Sequence, residues 1–396
     1  MADLRDEPSG AEKHGVVTTQ PTAEATPPPV VPERGAPPPP TGVLGLLVRE
    51  QSIIVPLVAV VAALLIGGIL IRAQGVNPTY AYQTLFTYSF LTADGLQGTF
   101  EKMVPLILCG LAVVIPLRVG LFNIGAQGQL MAGAIAAAAT AHAVREAPGV
   151  IVAVIAMVAG ILAGAMWASI AGALKASRGV HEVISTIMLN SIAAGLIDYL
   201  VNGPLKDPSS AYPASYPAPD ASRFVPLGVV PIGLPIALVL AVLVAWMLRR
   251  TTLGFQFETI GRNRHAASYA GIKLSGMIVL AMAIAGGLAG LAGSVEYLEI
   301  DPYRYQDGIA GSLGFDGITI ALLARSNPLG TIPAALLVGA LRAGSSNLMF
   351  NTGIQPEIVD MLLAITLLLV SLPIIAKLLF RRHTAKSSAL ASSWGS

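Results

Sequence analysis

The chain has 396 residues, of which 54% are hydrophobic types and only 12% are charged, whereas soluble domains carry roughly one-quarter charged residues. This composition, with a mean hydropathy of +0.70, excludes an ordinary soluble domain and predicts an integral membrane protein. The net charge of +2 gives no indication of nucleic-acid binding.

The first fifty residues precede the first apolar run and include the stretch ATPPPVVPERGAPPPP. They are rich in Pro, Ala and Glu and poor in aromatic residues, so they cannot bury enough apolar surface to fold. We predict a disordered cytoplasmic tail over 1–50, either a solvated leader, which is the simpler interpretation, or a docking arm. The following apolar run is too long for a signal peptide. A transmembrane domain over 51–378 and a short cytoplasmic tail over 379–396 complete the prediction.

Apolar runs of the length needed to cross a hydrocarbon core of roughly 30 Å recur along the chain. They are unbroken rather than alternating, which indicates helices and not a β-barrel. The predicted fold is an all-α membrane protein. Its ten predicted spans are 53–73, 103–118, 121–141, 150–174, 182–201, 228–248, 274–298, 310–325, 328–348 and 357–376. The second and eighth are short, so we expect tilted, broken or re-entrant segments there.

Basic residues predict the orientation of these spans. With both termini in the cytoplasm, the connections facing inward carry more Lys and Arg than those facing outward, as the positive-inside rule requires. This orientation requires an even number of crossings. We therefore predict a multi-pass protein of the cytoplasmic membrane with both termini inside the cell.

Small residues recur at intervals of four in two of the spans, a spacing that lets helix backbones approach closely in lipid. The two faces are Gly160, Gly164, Ala168 and Gly172, and Gly286, Gly290 and Ser294. We predict that they serve packing and no chemistry.

Amide and carboxylate side chains within the spans are costly unless a partner or a water-filled cavity receives them. We predict that they surround a polar path for solute, since amides offer donors and acceptors without a strong field for ions. The candidates are Phe122, Asn123, Gln127, Gln129, Asn190 and Asp316. Hydrogen bonding between helices is the competing explanation for each, and Asp316 could instead pair with Arg325 or Arg118.

Two connections are long. The external segment 202–227 is crowded with proline and predicts a stiff cap or docking surface, or else a plain connection. The cytoplasmic segment 249–276 has helical character from Gln256 to Gly271. A helix lying along the membrane there would suit a protein partner, whereas a basic amphipathic helix resting on anionic lipid is the alternative.

Motifs for catalysis are missing from the sequence. It has no G-x-x-x-x-G-K-[ST], so the chain is not predicted to be its own ATPase. It has no H-E-x-x-H motif, no cluster of metal-ligating residues, and no G-x-S-x-G or other motif that would position a nucleophile. We expect no enzyme activity, no catalytic residue, no metal and no cofactor bound by this chain.

Four blocks resemble membrane permease subunits of bacterial ABC importers, in the branch that carries nucleosides and simple sugars. They are GLFNIGAQGQLMAGA (120–134), HEVISTIMLNSIAAGLIDYLVNGPLK (181–206), ETIGRNRHAASYAGI (258–272) and GFDGITIALLARSNPLGTIPAALLVGAL (314–341). The resemblance extends from about residue 50 to 375. It implies a fold similar to type II importers, with about ten helices per subunit and two subunits around a central path.

The resemblance also implies partners and a mechanism. A cytoplasmic ATPase would use ATP and Mg²⁺, an extracytoplasmic substrate-binding protein, typically a lipoprotein, would deliver solute, and a second permease, related or a copy, would complete the path. A coupling helix would contact the ATPase through Glu258, Gly261, Arg262, Ala266, Ala267 and Gly271. The implied function is import of nucleosides by alternating access. The same machinery for a ribose-like sugar or a branched-chain amino acid is the nearest alternative, followed by an ion-coupled transporter and an intramembrane enzyme.

Overall fold

A computed structural model describes residues 43–306, 308 and 311–371, and the regular structure within these ranges is helical. This confirms the predicted all-α class. The described helices are α1 (Val43–Ala73), α2 (Pro78–Phe86), α3 (Ala93–Arg118), α4 (Ala126–Ala143), α5 (Gly149–Arg178), α6 (Glu182–Asn202), α7 (Gly233–Arg250), α8 (Thr252–Arg262), α9 (Arg264–Tyr269), α10 (Leu274–Glu299), α11 (Leu313–Leu323), α12 (Thr331–Thr352) and α13 (Glu357–Ser371). A π-helical turn, Thr87–Leu91, follows α2.

The chain divides into two units, residues 1–48 and Arg49–Ser396. Of the first unit only 43–48 are described, and they form the start of α1, which begins at Val43, before the predicted start of the span at 53. Most of the predicted N-terminal tail lies outside the described residues, and so does the predicted C-terminal tail at 379–396.

The described part of the chain contains five helices long and apolar enough to cross a membrane, α3, α5, α6, α7 and α10. Two bent pairs raise the number to as many as seven if each pair forms one span. Residues 57–73 bend by 120° into 78–91, and 313–323 bend by 118° into 328–352. The second bend lies at the predicted eighth span, which is short as expected. The predicted count of ten spans stays a prediction.

Helix α3 corrects the prediction that the second span is short. It has 26 residues and begins at Ala93, where the Thr92 side chain accepts a hydrogen bond from the Gly95 amide. Its first turns carry the polar sequence DGLQGTFEK, which looks like a loop in a hydropathy profile. Two contacts stabilise polar side chains of this stretch. Gln97 donates to Glu101 at 2.8 Å, and Lys102 pairs with Glu296 of α10 at 3.8 Å.

Helices α3 and α10 form the interior of the described bundle. Both bury 78% of their apolar segment, whereas α5 and α6 bury 28% and α7 buries 33%. Because lipid is as apolar as a leucine side chain, such exposed faces cost nothing in a bilayer. They agree with a multi-pass membrane protein.

The two predicted small-residue faces pack against each other, which confirms their packing role. A Cβ atom at Gly290 of α10 would meet the carbonyl oxygen of Gly160 and, at 3.0 Å, the Cα atom of Gly164, both of α5. A Cβ atom at Gly133 of α4 would meet the backbone of Gly290. Three helices therefore meet backbone to backbone.

The connection after α6, residues 203–227, is anchored to the residues that follow α10. The Ser215 amide donates to the Tyr305 carbonyl at 2.8 Å, and the Arg223 guanidinium lies 4.7 Å from the centroid of the Tyr303 ring. Asp207 pairs with Arg304 at 3.3 Å, and hydrogen bonds from Ser209 lower the pKa of the Asp207 carboxyl. These contacts support a stiff segment, as its prolines predict.

Candidate solute path and coupling segment

The predicted path residues lie around a short elbow, residues 119–125, between α3 and α4. Asn123 is fully buried there. Its side-chain nitrogen donates to Gln129 Oε1 at 3.0 Å and to the Ala112 carbonyl at 3.2 Å, and its oxygen accepts from Gln129 Nε2 and the Gly125 amide, both at 3.0 Å. The Asn123 and Gln129 side chains are therefore paired in both directions, and they fix the shape of the elbow.

Two further amides join neighbouring helices to this elbow. Asn190 of α6 accepts from the Gly128 amide at 2.9 Å and donates to the Ile124 carbonyl at 3.0 Å. Gln127 of α4 accepts from the Gly314 amide at 2.8 Å and donates to the Gly311 carbonyl at 2.9 Å, both at the start of α11. The start of α4 is thus bound to α3, α6 and α11.

The four amides predicted from the sequence do come together, and each is hydrogen-bonded to protein in this conformation. Phe122, next to Asn123, is half-buried. A solute that met these amides would have to replace hydrogen bonds already made, because a buried polar group left unpaired costs roughly 1–3 kcal/mol. Their role in the path stays a prediction.

The partner of Asp316 differs from both predicted ones. Its carboxylate pairs with Arg342 of α12 at 2.6 Å, while Arg118 donates to the Ser326 carbonyl at 2.6 Å. Arg342 also contacts Asp360 of α13 at 3.2 Å. Sequence reasoning missed Arg342 because the apolar residues around it dominate the hydropathy of its span. An arginine near the middle of a span was the available signal.

The segment 249–276 forms two short helices rather than one continuous helix over 256–271. Helix α8 ends at Arg262 because Asn263 has an extended backbone, and the Asn263 side chain then accepts from the Ala266 amide at 3.0 Å to begin α9. Asparagine favours such a capping position over a helix interior.

Buried and exposed residues alternate along this coupling segment, residues 252–271. Phe257, Ile260 and Ala267 are buried against the bundle. Of the predicted contact residues, Gly261, Arg262, Ala266 and Gly271 are exposed and Glu258 is partly exposed, with a 2.7 Å ion pair between Glu258 and Arg262. The buried position of Ala267 makes it a packing residue of the free chain.

The coupling segment contacts the elbow directly. A Cβ atom at Gly261 would meet the Arg118 carbonyl oxygen and, at 3.3 Å, the Gly120 amide nitrogen, so only glycine fits between α8 and the end of α3. Arg264 of α9 donates to the Gly120 carbonyl at 3.4 Å. A displacement of α8 would therefore act on the segment that carries Asn123.

The sequence also matches known proteins. Residues 96–371 match the family described as "Branched-chain amino acid transport system / permease component". The chain is 34% identical over 328 residues to the guanosine ABC transporter permease protein NupP of Bacillus subtilis, covering 82% of this chain and 94% of that protein. It is 32% identical over 348 residues to the nucleoside ABC transporter permease protein NupB of Lactococcus lactis, covering 85% and 95%. It is 33% identical over 326 residues to the glucose ABC transporter permease protein TsgB13 of Haloferax volcanii, covering 79% and 85%.

Proposed function

The chain belongs to the family of branched-chain amino acid transport system permease components, and from this membership we propose that it is the membrane subunit of an ATP-driven importer for nucleosides. As a member of that family it is a multi-pass ABC permease subunit. The observation that carries the nucleoside assignment is the similarity to guanosine and nucleoside permeases over more than four-fifths of this chain. The glucose permease of similar identity makes a simple sugar the second candidate.

The proposed importer needs three partners. A cytoplasmic ATPase binds ATP and Mg²⁺ and performs the hydrolysis, and an extracytoplasmic binding protein, typically a lipoprotein, delivers the solute. A second permease completes the path, and we favour a related chain over a second copy of this one. Both termini of this chain face the cytoplasm in the proposed arrangement, which puts the coupling segment on the side of the ATPase.

Competition for uptake tests the solute class. Cells that express the complete transporter are given radiolabelled guanosine together with an excess of unlabelled uridine, D-ribose, D-glucose or leucine. We expect uridine to compete and the other three to leave guanosine uptake unchanged. Competition by the sugars alone would assign the transporter to the second candidate, and competition by leucine alone would assign it to amino acids.

Energy from the ATPase reaches the elbow through the coupling segment in this proposal. ATP binding moves α8, whose Gly261 lies against Arg118 and Gly120, and the elbow then shifts together with α4. The proposed ATPase contact uses the exposed face that carries Glu258, Arg262 and Ala266. A ligand that binds one conformation better than the other converts this movement into directed transport.

We expect Asn123→Ala and Gln127→Ala to reduce uptake about tenfold at low solute concentration, because each leaves buried hydrogen-bonding groups unpaired in at least one state of the path. Assembly with the ATPase should be intact, as measured by co-purification. Asn202→Ala is the matched control, since this amide is exposed at the end of α6 and bonds only Asp198 among the described residues. Unchanged uptake would remove Asn123 and Gln127 from the path.

A further inference from the structure

A cavity of about 360 Å³, lined by both polar and apolar groups, lies between the start of α3 and the second half of α12. Its size falls within the range of small-molecule sites, roughly 300–1,000 Å³. The lining side chains that carry the argument are Tyr88, Thr92, Asp94, Lys102, Arg342 and Asn347. None of them belongs to the amide cluster at the elbow.

One wall of the cavity is an interruption between helices. The π-helical turn Thr87–Leu91 ends at Thr92, which is extended and caps α3. The Ser89 hydroxyl donates to the Ala340 carbonyl of α12 at 2.6 Å, and the Thr99 hydroxyl donates to the Ser89 carbonyl at 2.8 Å. The interruption is therefore held firmly against α3 and α12. Backbone groups outside a regular helix need hydrogen-bond partners from the protein or from water in a cavity.

Arg342 supplies the charge on the opposite wall. It lies near the midpoint of α12, and its Nη2 atom contacts Asp316 at 2.6 Å, Ser312 Oγ at 2.8 Å and Asp360 at 3.2 Å. Among the described residues its Nε atom is buried without a hydrogen-bond partner. The guanidinium therefore has donor capacity left over, and a guanidinium presents five donors in total.

Four carboxylates and two basic groups lie in the lining of the cavity or pair with it, namely Asp94, Glu296, Asp316 and Asp360 with Lys102 and Arg342. Lys102 is paired with Glu296 at 3.8 Å, and Arg342 lies between two carboxylates. Carboxylates outnumber basic groups, so the site does not favour an anionic solute, and it offers donors, acceptors and the aromatic ring of Tyr88. An aromatic ring can stack on a nucleobase, and carboxylate and amide groups can bond sugar hydroxyls. A charged side chain at the middle of a membrane helix typically marks a substrate path.

We propose that this cavity, with Arg342 at its inner wall and the Tyr88–Thr92 interruption at its side, is a contact site for an uncharged nucleoside on its way through the membrane. The solute class rests on the proposed function, whereas the location rests on the cavity. Tyr88 faces the base, Asp94 and Asn347 bond the ribose hydroxyls, and Arg342 donates to a carbonyl of the base.

Thiol labelling in the assembled transporter tests the location directly. The native cysteine, Cys109, is the only one in the sequence and is buried, so Ser346→Cys places one reactive thiol in the lining of the cavity. We expect a cationic methanethiosulfonate reagent to label Ser346→Cys, and guanosine to slow the labelling severalfold. Asn351→Cys, an exposed position five residues further along α12, is the control whose labelling guanosine leaves unchanged.

Uptake kinetics give a second test that does not need a cysteine. Asn347→Ala should raise the KM for guanosine about tenfold, which corresponds to a loss of about 1.4 kcal/mol of binding free energy. The amount of folded protein should equal that of the wild type. Asn351→Ala makes the same change outside the cavity lining and should leave the KM unaltered. Substituting Arg342 itself is less informative, because two carboxylates would lose their partner and folding could fail.

The outcomes separate the site from the function. A transporter that imports guanosine but shows no labelling of Ser346→Cys, or labelling that guanosine does not slow, overturns the site and leaves the function standing. An unchanged KM for Asn347→Ala also overturns it. A wild-type transporter that imports no guanosine overturns the proposed function, and with it the nucleoside as occupant of this cavity.

Discussion

Replacing Gly290 by valine is expected to abolish the accumulation of folded protein. Gly290 lies where α4, α5 and α10 meet, and a Cβ atom there would contact the Gly160 carbonyl oxygen and the Gly164 Cα atom. Both obstacles are backbone atoms, so no side chain can rotate away. Overpacking a core typically costs about 1–3 kcal/mol, and here an entire helix has to move, in a protein whose total stability is expected to be only about 5–15 kcal/mol.

The matched control for this substitution lies in the same helix. A Cβ atom at Gly276, also in α10, has no heavy atom within 4 Å, so Gly276→Val should accumulate like the wild type. The measurement is the amount of monodisperse protein after detergent extraction, together with its midpoint of thermal unfolding. Equal amounts of the two variants would show that the three helices are not packed backbone to backbone.

The second large effect is expected at the contact between the coupling segment and the elbow. Gly261→Ala should reduce ATP-dependent uptake at least tenfold, or about 1.4 kcal/mol in the barrier, while the chain still folds and still co-purifies with the ATPase. The added methyl group would meet the Arg118 carbonyl, so α8 would be pushed away from the end of α3. Movement of α8 would then no longer reach Gly120 and the residues after it.

The control for the coupling variant is Gly195→Ala in α6, where a Cβ atom meets nothing within 4 Å. Alanine is the better helix former by about 1 kcal/mol, so this variant should be at least as stable as the wild type and transport normally. Normal uptake by Gly261→Ala would place the transmission of movement elsewhere. Loss of ATPase binding by that variant would indicate a docking defect instead of broken transmission.

Hydropathy and residue spacing predicted much of the fold. The long apolar runs of α5, α6, α7 and α10 became helices close to their predicted bounds. The failures lie where polar residues begin a helix. The hydropathy pattern does not indicate α2, and it places the start of α3 at 103 instead of Ala93, because polar residues at a helix start resemble a loop until tertiary partners such as Glu296 are known.

For the candidate site, too, the sequence identifies the unusual residues but not their partners. The sequence marked the amides as unusual, but their partners are mostly backbone groups of other helices, as for Asn190 with Gly128 and Ile124. Which backbone groups meet an amide depends on helix packing, which spacing within one helix cannot specify. Asp316 also stands out in the sequence, whereas its partner Arg342 lies on another helix, and no spacing within one helix connects the two.

The residue pattern over 256–271 also does not predict the break between α8 and α9. Small and polar residues over 256–271 suit a single helix by propensity. Asn263 ends α8 because its side chain caps α9, and the new direction places Ala267 against the bundle. The capping residue Asn263 is visible in the sequence, but an asparagine there is compatible with a cap or with a continuing helix. The structure shows that it caps α9.

The measurement that tests the central claim most directly is uptake of radiolabelled guanosine in cells with and without this chain, with ATP depleted in a parallel sample. The account predicts that uptake is lost in the deletion and in the ATP-depleted cells, and that it returns when the chain is supplied again. Undiminished guanosine uptake in the deletion, or uptake that survives ATP depletion and collapses with the ion gradient, would contradict it.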